Sequence, residues 1–145
     1  MLLKKLIILF ILCFASSSAK SQKQFNGNWG QIFFDCDGEA EASFCMYLKQ
    51  NGNVIKGKHL CVIAHGFLID EMEDSINGIV IDDSVAIVTV KSGRNFIKAS
   101  GKAKLEIVEN DSLRFILLVE PNEGGEHFFP GTITIPKYKE EVNND

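Results

Sequence analysis

Three cysteines beyond residues 1–19, which have the layout of a secretory signal peptide, offer the clearest covalent chemistry of this chain, which is disulfide formation. They are Cys36, Cys45 and Cys61, and in an exported protein a pair of cysteines is expected to oxidise. Apolar alternation places Cys36 and Cys45 outward near one end of a predicted hairpin and Cys61 inward. We therefore predict a Cys36–Cys45 disulfide that stabilises the fold by roughly 2–4 kcal/mol. Cys61 is predicted to be buried and reduced, as inert packing rather than a nucleophile.

Side chains on the inward face of the predicted strands form a candidate ligand site. His59 shares this face with Cys61, and such a histidine either is a satisfied core residue or binds a ligand. Small residues at Ala99, Gly101 and Ala103 leave room in the interior, or they fit a tapering core. The predicted ligand-binding residues are Trp29, Gln31, Phe44, Met46, His59, Ile97 and Phe115.

Acidic residues concentrate in segments predicted to lie at one end of the fold. In a strand meander the links after odd-numbered strands share one end, and here they hold eleven of the nineteen acids. The link 64–75 is long enough to act as a lid. Such an end attracts a basic protein, a cationic small molecule or Ca²⁺, unless the loops are simply polar and solvated. The predicted partner-binding residues are Asp70, Glu71, Glu73, Asp74, Glu123 and Glu126.

Sequence motifs for catalysis and for metal binding are missing. The sequence contains no Gly-x-Ser-x-Gly, no His-Glu-x-x-His, no phosphate-binding glycine loop and no EF-hand spacing. His65 and His127 fall at the acidic end but lack the close ligand spacing of a zinc site. We therefore predict a protein that is not an enzyme and that uses no cofactor and no metal.

Eight short segments rich in Val, Ile, Phe and Thr predict the elements that position these side chains. Period-two alternation is clearest in the sixth segment, and links such as Asn51-Gly52 suit neighbouring antiparallel strands. The pattern predicts an all-β protein, a single up-and-down antiparallel barrel of about eight strands, with a β-sandwich as the alternative. Residues 137–145 are predicted to form a flexible polar tail. The segments are 28–35, 43–49, 54–63, 76–81, 84–91, 96–107, 112–119 and 128–135.

Residues 1–19 have the layout of a secretory signal peptide. Two lysines precede an unbroken apolar run, Leu6–Phe14, and Ser17 and Ala19 supply the small residues before a predicted cleavage after Ala19. The run is shorter than the about 20 apolar residues of a membrane-spanning helix, which disfavours an uncleaved anchor. We therefore expect a secreted or periplasmic protein with one domain, residues 20–136.

The charge of the mature chain limits its partners. Loss of Lys4 and Lys5 with the leader changes the formal net charge from −4 to −6. This balance disfavours nucleic acid, which requires a basic face. No later segment reaches membrane-spanning length, so we expect no membrane association after cleavage.

A short motif directly after the leader resembles the opening of a known group of barrels. Phe25-Asn26-Gly27-Asn28-Trp29 is similar to the start of calycin-type barrels, which include lipocalins, fatty-acid-binding proteins and avidins. The resemblance implies an eight-stranded barrel with Trp29 at its closed end. Lipocalins also pack a late arginine over this tryptophan, and Arg94 and Arg114 are the candidates. Alternation, however, turns Arg114 outward beside Glu106.

Two binding hypotheses follow from these patterns. In the first, the barrel interior holds a small apolar or amphipathic ligand above Trp29. In the second, the acidic loops dock a basic partner, as an inhibitor of a cationic hydrolase such as lysozyme would. Ionic strength separates the two hypotheses, because docking by loop acids weakens with salt whereas apolar binding does not.

Overall fold

Eight antiparallel strands in chain order close into a single barrel. The computed structural model describes residues 24–94, 100–108, 111–121 and 126–138. Each strand pairs with the next and the last pairs with the first, which confirms the predicted all-β, up-and-down barrel over the sandwich. The strands are β1 (Gly27–Phe34), β2 (Ala40–Asn51), β3 (Val54–Ile63), β4 (Leu68–Asp82), β5 (Val85–Lys91), β6 (Ser100–Val108), β7 (Ser112–Val119) and β8 (Thr132–Tyr138).

Period-two alternation explains why these segments form a barrel with a packed interior. In β6 the residues Ala103, Leu105 and Ile107 are buried, while Lys104 and Glu106 between them face outward. The same alternation in β2, β5 and β7 adds further apolar side chains to one core. Burial of one face of every strand supplies the main driving force for closure.

The fourth strand begins earlier than predicted, and this overturns the proposed lid. β4 starts at Leu68, so residues 64–75 are not a loop, and the link after β3 is a short 3₁₀ turn at Ala64–Gly66. The charges of this segment suggested a loop, but in the barrel its outward side chains are solvated. A bulge opposite Lys58, where Asp74 has a φ of 52°, absorbs the extra residues between the two strands.

The last strand is also shifted relative to its prediction. β8 runs to Tyr138, so Lys137 and Tyr138 belong to the barrel rather than to the predicted tail, and residues 126–131 are irregular. The predicted signal peptide and residues 139–145 lie outside the described residues. Within the described part of the chain, no helix is long and apolar enough to cross a bilayer.

The barrel closes through a short contact between its first and last strands. β1 and β8 share two residue pairs, whereas β1 and β2 share eight. The pair nearest the middle of β1 is Trp29 with Lys137, and the next residue of β8 is Pro136, which has no N–H to donate to a ladder. Among the described residues, no ladder pair therefore joins Gly30–Phe34 to a strand on this side of β1. We call this segment the free edge of β1.

The two ends of the barrel differ in how they are covered. At one end Trp29 is buried, its Nε1 donates to the carbonyl oxygen of Phe25 at 2.9 Å, and Lys137 Nζ lies 5.1 Å from the ring centroid. We call this the closed end. The opposite end carries the links after β1, β3, β5 and β7, and we call it the mouth end.

Candidate functional site

An aromatic cluster fills the barrel interior toward the mouth end. Phe129 comes from the irregular segment before β8 and is only 5% exposed. Its ring stacks on Phe115 with centroids 5.9 Å apart, and it meets Phe44 edge-on at 6.3 Å. Phe44 and Phe115 are themselves in edge contact at 5.1 Å. Phe129 therefore occupies the space between β2 and β7 in which the first hypothesis placed a ligand.

A buried polar group lies against this cluster. The ring of His59 is 4.3 Å from that of Phe129, and its Nδ1 lies 2.7 Å from Ser75 Oγ. The Ser75 oxygen also accepts the backbone N–H of His59 at 3.1 Å, so its own proton is free to point at Nδ1. On the other side of the ring, His59 Nε2 lies 3.2 Å from Asp70 Oδ1.

Asp70 is the centre of this polar group and has four neighbours. Ser92 Oγ donates to Oδ2 at 2.6 Å, Gly93 N donates to Oδ1 at 2.7 Å, and Phe128 N reaches Oδ2 at 3.3 Å. Burial raises the pKa of Asp70, but contact with His59 and the bonds from Ser92 and Gly93 lower it to about 2. Asp70 is therefore an ionised carboxylate that ties the β5–β6 turn and the segment before β8 to β4.

The position of Asp70 contradicts its predicted role in partner contact. Its side chain is fully buried, because the residue belongs to the inward face of β4 and not to a loop. The side-chain contacts run from Ser75 to His59 to Asp70, as they do from serine to histidine to aspartate in serine hydrolases. All three residues are, however, at most 1% exposed. The three side chains link β3 to β4 inside the barrel.

The remaining predicted ligand residues divide into three groups. Trp29, Phe44, Met46 and Phe115 are buried inside the barrel with His59, as the alternation predicted. Gln31 was expected inside but is exposed, and it lies on the free edge of β1, beyond the last ladder pair with β8. Ile97 lies outside the described residues.

The predicted partner-binding acids are not brought together as one charged surface. Glu73 pairs with Lys58 at 2.7 Å and Glu126 pairs with Arg94 at 2.8 Å, which reduces the field that either acid projects. Glu71 and Asp74 are exposed on β4 and at its bulge, and Glu123 lies outside the described residues. The exposed acids nearest the tip of β1 are instead Asp37, Glu39 and Glu41.

Exposed apolar side chains gather at the mouth end, which the sequence analysis did not identify. They account for eight of the eleven large exposed apolar residues in the described ranges. On the outer wall Ile32 pairs with Ser43, Ser43 with Val62, and Val62 with Ile69, so these side chains form one continuous row. We call the eight residues the mouth-end apolar surface: Ile32, Phe33, Phe34, Phe67, Leu68, Ile69, Leu118 and Val119.

The sequence does contain a signal for part of this surface. Ile32-Phe33-Phe34 is a run of three large apolar residues at a strand end, and alternation cannot turn all three inward. Ser75, Ser92 and Phe129 were also missed. Isolated serines and a phenylalanine near a strand boundary carry no pattern that marks them.

The predicted Cys36–Cys45 disulfide is wrong, and all three described cysteines are free. Cys36 lies in the turn after β1, whereas Cys45 pairs with Gly30, five residues beyond Ala40 on β2. That separation is about 16 Å along the strand, well beyond the Cα spacing of about 7 Å that a disulfide allows. Cys61 is buried and reduced as predicted, and burial raises the pKa of its thiol.

Possible metal ligands in the described ranges do not cluster. No cluster of three or more His, Cys, Asp or Glu residues occurs there. His65 lies 3.9 Å from Asp35 and His127 lies 3.8 Å from Glu120, each with a single acidic neighbour.

No protein-family model, curated protein or solved structure matches this chain.

Proposed function

We propose that this protein is a non-enzymatic binding module that docks a partner protein at its mouth end. The observation that carries this proposal is the mouth-end apolar surface. Exposed apolar patches on a soluble domain mark interaction sites, because water disfavours them and a partner that covers them gains free energy. Phe67, which is 86% exposed at the β3–β4 link, is the most protruding member.

The charge beside this surface indicates what kind of partner fits. Asp37, Glu39 and Glu41 are exposed where β1 turns into β2, directly next to Phe34. Acids at the rim of an apolar contact favour a partner with basic residues around its own apolar centre, and they raise the rate of association. An inhibitor-type module that docks a cationic hydrolase such as lysozyme is one protein of this class.

The buried polar group supports a binding role over catalysis. Ser75 and His59 are buried, His59 lies against Phe129, and Asp70 accepts hydrogen bonds from Ser92 and Gly93. A hydrolase needs its nucleophile at a surface that substrate can reach.

A second candidate function is binding of a small apolar ligand inside the barrel. The observation that favours it is the origin of Phe129, which is carried on an irregular segment and not on a strand. Displacement of this ring would uncover Phe44, Phe115 and His59 as the walls of a cavity. A ligand would then take the place of the ring, with the buried histidine as its polar contact.

A calycin-type relationship and export are parts of the same proposal. The Phe25-x-Gly27-x-Trp29 motif stands at the start of β1, and Lys137 lies over the Trp29 ring where lipocalins place a late arginine. Arg114 instead faces outward, 3.5 Å from Glu106. The signal-peptide layout of residues 1–19 supports a secreted or periplasmic location.

A matched pair of surface variants tests the docking proposal. Phe67→Ser removes the most exposed side chain of the mouth-end apolar surface, whereas Ile81→Ser removes a comparable exposed side chain at the closed end. Each protein is titrated into lysozyme and into partners captured from native secretions. We expect Phe67→Ser to lose binding of a shared partner and Ile81→Ser to keep it. Equal binding by both variants would contradict docking at the mouth end.

A further inference from the structure

We propose that the partner binds by adding an extended segment to the free edge of β1 as an extra strand. This inference rests on the proposed function, because it specifies how the mouth end holds its partner. The segment it requires has alternating apolar side chains and basic residues at the end that passes Asp35 and Asp37.

The first support is the unused hydrogen-bonding capacity of β1. Its other edge is fully engaged with β2, but beside Gly30–Phe34 no β8 residue pairs with it. No backbone hydrogen bond from the irregular segment 126–131 reaches this edge either, within the described residues. An extended chain laid alongside would satisfy these backbone groups, which is the basis of recognition by strand addition.

The second support is that this edge lacks the usual protection against pairing. Exposed edge strands normally carry lysine, proline or an inward charge, or they are covered by another element. The free edge of β1 reads Gly-Gln-Ile-Phe-Phe and contains none of these residues. Such an edge either promotes aggregation or has a partner that covers it.

The third support is the surface that an added strand would extend. Ile32 ends the outer row that runs through Ser43 and Val62 to Ile69. An apolar side chain on the added strand would lie beside Ile32 and continue this row. The next outward residue would lie beside Phe34, which is 63% exposed.

The charge near the end of the edge favours a basic partner over a second copy of this chain. Asp35 follows Phe34 directly and Asp37 comes two residues later, and Asp35 Oδ1 accepts the N–H groups of Asp37 and Glu39 in the turn. A second copy paired through its own free edge would bring no basic side chain from that edge, because Gly30–Phe34 contains no lysine or arginine. A lysine or arginine side chain on the added strand would instead be attracted by the negative potential of Asp35 and Asp37.

The test uses a synthetic peptide of alternating valine and lysine as the probe and the full mature protein as the receptor. A second peptide has the same sequence with every other backbone nitrogen methylated, which removes strand pairing but keeps side chains and charge. Binding is followed by fluorescence anisotropy, and amide hydrogen exchange reports on individual residues. We expect the parent peptide to slow exchange at Gln31–Phe34 and the methylated peptide to bind about tenfold or more weakly.

The outcomes separate this inference from the proposed function. Equal binding of the two peptides, no change in exchange at Gln31–Phe34, or no binding of the parent peptide overturns strand addition. If the peptides bind equally and Phe67→Ser still weakens capture of a partner, docking at the mouth end stands without strand addition. If Phe67→Ser has no effect on any partner, the proposed function fails as well.

Discussion

The hydroxyl of Ser92 donates a 2.6 Å hydrogen bond to the carboxylate of Asp70 inside the barrel. Through this bond the turn after β5 is attached to β4, and Gly93 adds a second donor from the same turn. A Cβ at Gly93 would overlap the carbonyl oxygen of Glu71, so only glycine permits this close approach. The buried carboxylate is thus a structural centre of the mouth end.

Neutralising this centre should destabilise the barrel. In Asp70→Asn the amide keeps the shape of the side chain but presents N–H groups to the donors from Ser92 and Gly93. We expect the free energy of unfolding to fall by about 3 kcal/mol, because buried donors lose a charged acceptor. Urea denaturation measures this change, and the exposed neighbour Glu71→Gln serves as the control with little effect. Unchanged stability of Asp70→Asn would show that the carboxylate is not structural.

Lowering the pH should also reveal the contribution of Asp70 to stability, because that contribution requires the ionised carboxylate. The pKa of Asp70 is about 2 in the folded protein, below the about 3.9 of a free aspartate. The stabilisation is therefore complete above the unfolded value and is lost as pH falls from about 4 to about 2. We expect Asp70 to account for about 2–3 kcal/mol of this loss. Denaturation of the wild type and of Asp70→Asn at stepped pH measures it, and parallel curves for the two proteins would contradict the assignment.

Removal of the Phe129 ring should leave a cavity inside the barrel. Phe129→Ala deletes a fully packed side chain and should lower the free energy of unfolding by about 3–5 kcal/mol. The cavity left beside Phe44 and Phe115 should bind an apolar dye, which fluorescence detects. Phe128→Ala is the control, because Phe128 is only partly buried and lies against Arg94. Dye binding equal to wild type would weaken the second candidate function.

Exposed acids should control the salt dependence of partner binding. Glu39→Gln combined with Glu41→Gln removes two charges next to the tip of β1 without touching the buried network. We expect slower association and a shallower dependence of the rate on ionic strength, measured by stopped flow. Asp83→Asn, at the closed end, is the control. If the association rate of a partner is the same for the Glu39→Gln, Glu41→Gln protein as for the control and the wild type, that partner is held by apolar contact alone.

The cysteines should react in an order set by burial. Cys36 is exposed and should react at once with a thiol reagent in the native protein. Cys45 is half-buried and burial raises its pKa, so it should react more slowly. Cys61 should react only after unfolding. Mass spectrometry of a non-reduced digest completes the test, and a linked Cys36–Cys45 peptide would contradict the structure.

Local alternation was sufficient to predict most of the fold. The β6 and β7 segments showed their inward faces in the sequence, and short links implied antiparallel neighbours. Strand boundaries failed where charge or bulges interrupted the alternation, as at Asp74 in β4. Residues from irregular segments, such as Phe129, could not be assigned to the core because no period relates them to it.

The sequence by itself determined the class of the protein, since alternation, turn residues and strand number are local properties that favour a closed antiparallel barrel. Only the tertiary structure decided which residues meet. His59 comes from β3, Ser75 and Asp70 come from β4, and Ser92 comes from the turn after β5, so three elements meet in this group. The free edge of β1 likewise depends on a long-range relationship, because it exists only where Pro136 ends the pairing of the last strand with the first.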